Sequence, residues 1–256
     1  MEYFTRLSDT AFRATEHTSG AWDPEDQHIA PALGLLAHVV EADRDARRDD
    51  APVVTRVSYD ILGTVPVTDF EVAVEVLRPA RTIELVEARL RQAGRDVVRL
   101  RAWLQLTRPT AGVAGTSTPP MPGPADVEPW DVAEFWPGGF IASVEVRRRL
   151  EAPGRGLVWV RSDVPLLAGE PSGPVAQFLR LVDLANGMSV REDPRKVLFP
   201  NLDLTAHLFR APAGEWVGFD TTVSFGDSGI GLTSTVLHDE AGPVGSMAQT
   251  LTVRPL

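Results

Sequence analysis

Cysteine is absent from the 256-residue chain. Its absence excludes disulfide bonds, catalytic thiolates and metal sites that are built on cysteine ligands. Long apolar runs are absent too, because no stretch reaches the roughly eighteen residues of a membrane-spanning helix. The N-terminal MEYFTRLSDTAF carries acidic residues and has no apolar core of the kind found in signal peptides. The sequence therefore predicts a cytoplasmic protein without a membrane span.

Positive charge is scarce, with 25 basic against 35 acidic residues and a formal net charge of -10. Nonspecific binding to nucleic acid depends on cationic patches that meet phosphate. This balance therefore argues against a nucleic-acid partner.

Familiar catalytic and cofactor motifs are missing as well. The five histidines show no H-x-x-x-H or H-E-x-x-H spacing, so a metal site is not expected. No P-loop, G-x-G-x-x-G or G-x-S-x-G elbow occurs, and we expect no cofactor. The GDSG at residues 226–229 is similar to the nucleophile segment of trypsin-like proteases, but its context favours a turn between strands.

Two segments have the composition of buried helices. In the first, WDPEDQHIAPALGLLAHVVEADRDA, the apolar residues cover most of a helical circumference, and Pro31 fits only in the first turn. The second, PSGPVAQFLRLVDLANGMS, is equally apolar. We expect each to form a long helix covered by a sheet.

Strand-like segments surround both helices. Apolar and polar residues alternate from Asp69 to Pro109, which is typical of an antiparallel meander with one solvated face. A segment rich in Pro, Gly, Ser and Thr, 110–135, has no period and is interpreted as a linker. The same order of elements then restarts, and both halves end in Arg-Pro. The sequence thus predicts two tandem units, 1–109 and 136–256.

Three polar residues interrupt the alternating strands of the last fifth of the chain: Asp203, Ser224 and Gln249. A carboxylate, a hydroxyl and a carboxamide on neighbouring strands can meet at one point. We therefore treat these residues as the candidate site, with edge polarity as the alternative.

This segment resembles the C-terminal half of the acyl-CoA thioesterases of the double hotdog fold, the TesB-like superfamily. The residues that carry the resemblance are Asp203 with Arg210, Glu215-Trp216 followed by Ser224, and Gln249 with Arg254. The resemblance implies an α+β fold, a double hotdog whose two tandem units each wrap a curved antiparallel sheet around a long central helix. It also implies hydrolysis of an acyl-CoA substrate to CoA and a carboxylic acid.

The resemblance assigns roles to these residues. Asp203, Ser224 and Gln249 would activate a water, with the carboxylate as general base. The start of the first helix, with His28, Ile29 and Ala30, would bind the substrate and supply oxyanion donors. The first half has no chemically similar residues at the aligned positions, so one site per chain is expected.

Two alternatives remain open. The family commonly has Gly-Gly at the start of this helix, whereas this chain has His28-Ile29-Ala30-Pro31. Pro31 has no N–H to donate to the oxyanion. An acyl-CoA-binding protein with little or no turnover is therefore the second hypothesis. Hydratases of the hotdog fold are the third, which WDPEDQH matches only loosely. The family also implies a homodimer or homotetramer.

Overall fold

The structure is a computed structural model that describes residues 1–256. Its strands are Phe4–Arg6 (β1), Ala11–Ala14 (β2), Val53–Ile61 (β3), Asp69–Arg78 (β4), Ile83–Gln92 (β5), Arg95–Gln105 (β6), Glu145–Ala152 (β7), Arg155–Arg161 (β8), Val197–Leu198 (β9), Asp203–Leu208 (β10), Val217–Phe225 (β11), Ile230–Asp239 (β12), Gly242–Thr252 (β13) and Arg254–Pro255 (β14). Its α-helices are Ile29–Arg47 (α1), Gly139–Ala142 (α2), Pro174–Leu179 (α3) and Ala185–Met188 (α4). Short 3₁₀ helices lie at Glu16–Thr18, Ala111–Val113, Pro124–Asp126, Val132–Glu134 and Val182–Leu184.

A single antiparallel sheet of 12 strands organises the chain, in the order β1-β2-β4-β5-β6-β3-β10-β13-β12-β11-β8-β7. The first six strands come from the N-terminal half and the last six from the C-terminal half. Pairing of β3 with β10 joins the two groups at the centre. Strands β9 and β14 pair with each other outside this sheet. When the six strands of each group are numbered in chain order, both groups run outward from the centre as third, sixth, fifth, fourth, second and first.

Helix α1 packs against strands β4, β5 and β6 of this sheet. It begins after His28, holds Pro31 in its first turn as expected, and buries Leu33, Leu35 and Leu36 completely. It packs closely on α3 at Gly34, where an added Cβ would lie only 2.4 Å from the Cβ of Arg180. Only glycine allows that approach, which brings the two halves together.

The second long helix was expected over 171–189, and this expectation is wrong. Helix α3 ends at Leu179, the 3₁₀ turn Val182–Leu184 follows, and α4 is short. The buried Arg180 guanidinium donates to the carbonyl oxygens of Ser162, at 2.8 Å, and of Val164. These tertiary contacts hold the chain at the break and outweigh its helical propensity.

Both ends of the sheet are partly covered by the chain itself. The N–H of Phe4 donates to the carbonyl of Leu166 at 3.0 Å, and that of Trp130 to the carbonyl of Val146 at 2.9 Å. Outer strands β1 and β7 therefore offer few free groups to another chain. The GDSG segment forms the β11–β12 turn, where Gly229 has a φ of +81°.

None of the helices has the length and apolar character needed to cross a membrane.

Candidate active site

A cavity of about 570 Å³ lies where the two halves of the sheet meet the start of α1. One wall comes from the N-terminal half, from the segment before α1 and the end of β3. The opposite wall comes from the C-terminal half, from the 3₁₀ turn, α4 and the segment before β10. The cavity contains Asp183 and His28 among its lining residues and no Lys or Arg.

Asp183 is the most unusual group in this wall. It stands in the 3₁₀ turn between the buried Val182 and Leu184 and is only 5% exposed. A buried carboxylate is costly unless it is hydrogen-bonded. The break in the second helix therefore places a partly desolvated carboxylate at the edge of the cavity.

Two amide side chains satisfy this carboxylate. Asn201, just before β10, donates from Nδ2 to Asp183 Oδ1 at 2.7 Å. Gln249, on the inner face of β13, donates from Nε2 to the same oxygen at 2.9 Å. The other oxygen, Oδ2, accepts no hydrogen bond from the chain and is the one that faces His28. Oδ1 is thus held in place while Oδ2 is free to act.

His28 caps the start of α1 on the other side. Its Nδ1 accepts the N–H of Ala30 at 3.2 Å, so the neutral ring carries its proton on Nε2. The same Nδ1 lies 4.0 Å from Asp183 Oδ2, and the ring packs 4.6 Å from that of Phe140. The N–H of Ile29 has no partner within the chain, as is usual at a helix start. His28 and Ile29 both line the cavity.

Burial shifts both titratable groups toward their neutral forms. It raises the pKa of Asp183 to about 7, against the opposing effect of the hydrogen bonds from Asn201 and Gln249. It lowers the pKa of His28 to about 3, so the ring stays neutral and its contact with Asp183 is not a salt bridge. A carboxyl group that titrates near neutrality is suited to general acid–base chemistry.

The three residues selected from the sequence do not converge. Asp203 lies opposite Thr250, whose N–H its carboxylate accepts at 2.6 Å. Thr250 pairs with Leu232, and Leu232 pairs with Ser224. Asp203 and Ser224 therefore share the outer face of the sheet but stand three strand spacings apart, or about 14 Å. Gln249 points to the opposite, inner face, where it is fully buried.

The physical reason is the register of the strands. Alternation in a sequence tells which residues of one strand share a face, but it does not tell which face of the next strand they meet. Of the selected residues, Gln249, His28 and Ile29 belong to the cavity region, and Ala30 donates to the cap.

Asp183 and Asn201 were missed, although the sequence held a signal for Asp183. An acidic residue within the apolar run FLRLVDLANGM must be buried if the run is buried, and a buried carboxylate needs donors. Nothing comparable marks Asn201, since Asn is common just before a strand.

Solved structures show what the fold is similar to. A protein of Alicyclobacillus acidocaldarius described as having a hot dog fold aligns with a TM-score of 0.76 and 13% identity, over 97% of this chain and 95% of that one. The acyl-CoA thioesterase II TesB2 of Mycobacterium marinum aligns with a TM-score of 0.70 and 17% identity, over 99% and 96%. The tesB protein of Mycobacterium avium subsp. paratuberculosis aligns with a TM-score of 0.66 and 14% identity, over 98% of this chain and 96% of that one. The chain thus has a hotdog fold.

Sequence comparison identifies the family. No curated protein sequence matches the chain significantly. Residues 18–105 match the family model of the acyl-CoA thioesterase N-terminal domain, and residues 124–253 match that of the acyl-CoA thioesterase C-terminal domain. The second match alone covers just over half of the chain. The chain therefore belongs to the acyl-CoA thioesterase family.

Proposed function

We propose that the protein hydrolyses acyl-CoA thioesters with Asp183 as the general base. The observation that carries this proposal is the convergence of Asn201 and Gln249 on one oxygen of the Asp183 carboxylate, at the wall of a cavity. These donors fix the carboxylate and favour its ionised form, while burial keeps it basic enough to accept a proton near neutral pH.

In the proposed reaction, Asp183 Oδ2 takes a proton from a water in the cavity. The water oxygen attacks the thioester carbonyl, and the C–O bond forms as the C=O π electrons move to the oxygen. When the tetrahedral intermediate collapses, the C–S bond breaks and Asp183 returns the proton to the sulfur. The products are a carboxylic acid and CoA, and the carboxylate is regenerated.

The oxyanion is stabilised from the start of α1. The Ile29 N–H lies at the positive end of a 19-residue helix and is unpaired. His28 adds the N–H of Nε2, since its Nδ1 is occupied by Ala30. Pro31 does not weaken this arrangement, because the donors precede it. In this proposal Pro31 has no part in the oxyanion site, so it does not argue for a binding protein without turnover.

The acyl group occupies the apolar side of the cavity. Trp22, Trp136 and Phe199 form its aromatic wall, with ring centroids 4.9 Å apart for the two tryptophans and 5.3 Å apart for Trp22 and Phe199. The charged lining residues are all acidic: Asp23, Asp26 and Asp183. Since the phosphates of CoA are anionic, they remain outside the cavity and only the acyl-thioester end enters.

The two halves represent tandem hotdog units, with the general base and the two side chains that bind it in the second. The repeated strand order supports this assignment. Strands β5 and β12 have 10 residues each and β6 and β13 have 11, so positions can be matched directly. The position of Gln249 is then taken by Ala102 in the first unit. An alanine cannot hold a carboxylate, which agrees with one site per chain.

The test compares Asp183→Asn with Asp203→Asn. We expect Asp183→Asn to lower kcat on acyl-CoA by about a hundredfold or more, the scale of a lost general base. Asp203→Asn should stay within about threefold of wild type, because its carboxylate faces away from the cavity. Release of free CoA from a panel of acyl-CoAs measures both. A folded Asp183→Asn variant with wild-type turnover would refute the proposal.

We also propose that the protein forms a homodimer or homotetramer, as the family resemblance implies. Since the chain covers its own sheet edges in part, the contact would use a sheet face or loops instead. Light scattering at micromolar concentration tests this, and a monomeric mass would contradict it.

A further inference from the structure

The amide of Gln249 is only half satisfied. Its Nε2 donates to Asp183, but its Oε1 is buried without a hydrogen-bond partner. The side chain is 0% exposed, so bulk water does not reach it. A buried acceptor without a partner is costly and rare, so a nearby donor is to be expected.

Thr233 is the matching group. It is also 0% exposed, and its Oγ1 is likewise buried without a partner. Thr233 on β12 and Gln249 on β13 are direct cross-strand neighbours in the sheet register. Such neighbours have Cβ atoms about 5 Å apart and project from the same face. A hydroxyl rotor and a flexible carboxamide at that spacing can meet through a small change of side-chain torsion or through one shared water.

The first unit provides an internal comparison. Matching β5 to β12 and β6 to β13 places Val86 at the position of Thr233 and Ala102 at that of Gln249. Val86 and Ala102 are themselves cross-strand neighbours, and both are fully buried. Where the carboxamide is absent, the hydroxyl is absent too. The comparison also indicates that valine, which has the shape of threonine, fits this position of the fold.

We propose that Thr233 is a positioning residue for Gln249: its hydroxyl donates to Oε1 and holds the carboxamide with its NH₂ group toward Asp183. This inference rests on the proposed function and deepens it. If the Gln249 carboxamide were flipped, its Oε1 would face the Asp183 carboxylate and repel the ionised form. Thr233 thus acts on the general base through Gln249 without touching substrate.

The experiment measures kcat/KM against pH for Thr233→Val, Thr233→Ser and Thr235→Val. Thr233→Val removes the donor, so Asp183 loses a well-oriented hydrogen bond. The acid limb, the part of the kcat/KM profile that rises as the base ionises, should then move to higher pH by about one unit. The loss of kcat/KM should be about fivefold at pH 7 and nearly absent at pH 9. Thr233→Ser keeps the hydroxyl and should restore the wild-type profile.

Thr235→Val is the matched control. Thr235 is buried on the same face of β12, but its hydroxyl bonds to Thr221 at 2.9 Å, away from Gln249. Its removal should lower stability without moving the acid limb. In a Gln249→Leu background, Thr233→Val should have no further effect on the profile, because the group it positions is gone.

Each outcome decides between the proposals. An unshifted acid limb in folded Thr233→Val would overturn the role of Thr233, and Thr233→Ala serves if the valine variant does not fold. If Asp183→Asn is inactive while Thr233→Val behaves as wild type, only this inference fails. If Asp183→Asn retains full turnover, the proposed function itself fails.

Discussion

Gln249 Nε2 donates to Asp183 Oδ1 at 2.9 Å, although the two residues are 66 positions apart. One belongs to a strand and the other to the 3₁₀ turn that interrupts the second helix. The contact places the Asp183 carboxylate against the inner face of the sheet, where Gln249 is fully buried. If the helix continued unbroken through these residues, the Asp183 carboxylate would lie at a different position.

The pH dependence of the reaction is the first prediction. Burial raises the pKa of Asp183 to about 7, and the base must be ionised to accept a proton. We therefore expect kcat/KM to rise with pH through about 7 and to level off above it. His28, the titratable group that faces Asp183, has its pKa lowered to about 3 and adds no second limb in this range. Initial rates in overlapping buffers measure this profile.

The variants Asn201→Ala and Gln249→Ala sharpen the same test. Each removes a hydrogen bond that lowers the pKa of Asp183, so the acid limb should move to higher pH in both. Because both residues donate to the same carboxylate, the effects of the two variants on kcat should not add. A flat profile between pH 5 and 9 in the wild type, a range of about four pH units around the expected value, would contradict the role of Asp183.

The oxyanion donor can be tested by Ile29→Pro. Proline is favoured at the first position of a helix, where it removes only an N–H that the helix does not use. His28 has φ -62° and ψ 130°, an extended conformation that a following proline accepts. We therefore expect kcat to fall by about a hundredfold while stability changes little. Steady-state kinetics and thermal unfolding measure the two effects.

Ile29→Ala is its control, because it truncates the same side chain but keeps the N–H. It should change KM through lost contacts in the cavity and leave kcat within about threefold. Equal losses of kcat in both variants would assign the effect to the side chain and remove the backbone N–H from the mechanism.

Much of the fold was accessible from the sequence because it depends on local patterns. Helix α1 fills a segment whose apolar residues cover most of the helix, and β4 to β6 follow the alternation between Asp69 and Gln105. The second helix was not accessible, since its break depends on Arg180 reaching carbonyl groups of a distant segment.

The site was only partly accessible for the same reason. Among the residues selected from the sequence, Gln249 and the start of α1 lie at the candidate site, whereas Asp203 lies on the other face of the sheet, and Asp183 was not selected. Both are acidic residues near apolar runs, and only the register of β10 against β13 shows that Asp203 faces outward. Convergence of residues from a turn, a loop and a strand is a property of tertiary packing, which local periodicity does not encode.

The contact between α1 and α3 gives a stability prediction. In Gly34→Ala the new Cβ would lie 2.4 Å from the Cβ of Arg180 and 2.9 Å from a backbone carbonyl oxygen, that of Ala176. Neither can move away without separating the helices, so we expect a loss of about 1 to 3 kcal/mol in the free energy of unfolding. Gly115→Ala, at a position with nothing within 4 Å, should be neutral or slightly stabilising. Urea unfolding compares the two.

The buried carboxylate also makes stability depend on pH. The pKa of Asp183 is raised to about 7 in the folded protein, whereas an unfolded Asp titrates near about 3.9. The folded state therefore binds this proton more tightly, and the resulting stabilisation is complete below about pH 4 and is lost as the pH rises through 7.

In Asp183→Asn this dependence is absent. Relative to that variant, the wild type should lose about 2 to 4 kcal/mol of unfolding free energy between pH 4 and pH 8. Denaturant unfolding of the two proteins at both pH values measures it, and parallel pH curves for wild type and Asp183→Asn would show that Asp183 ionises in the folded protein as easily as in the unfolded chain.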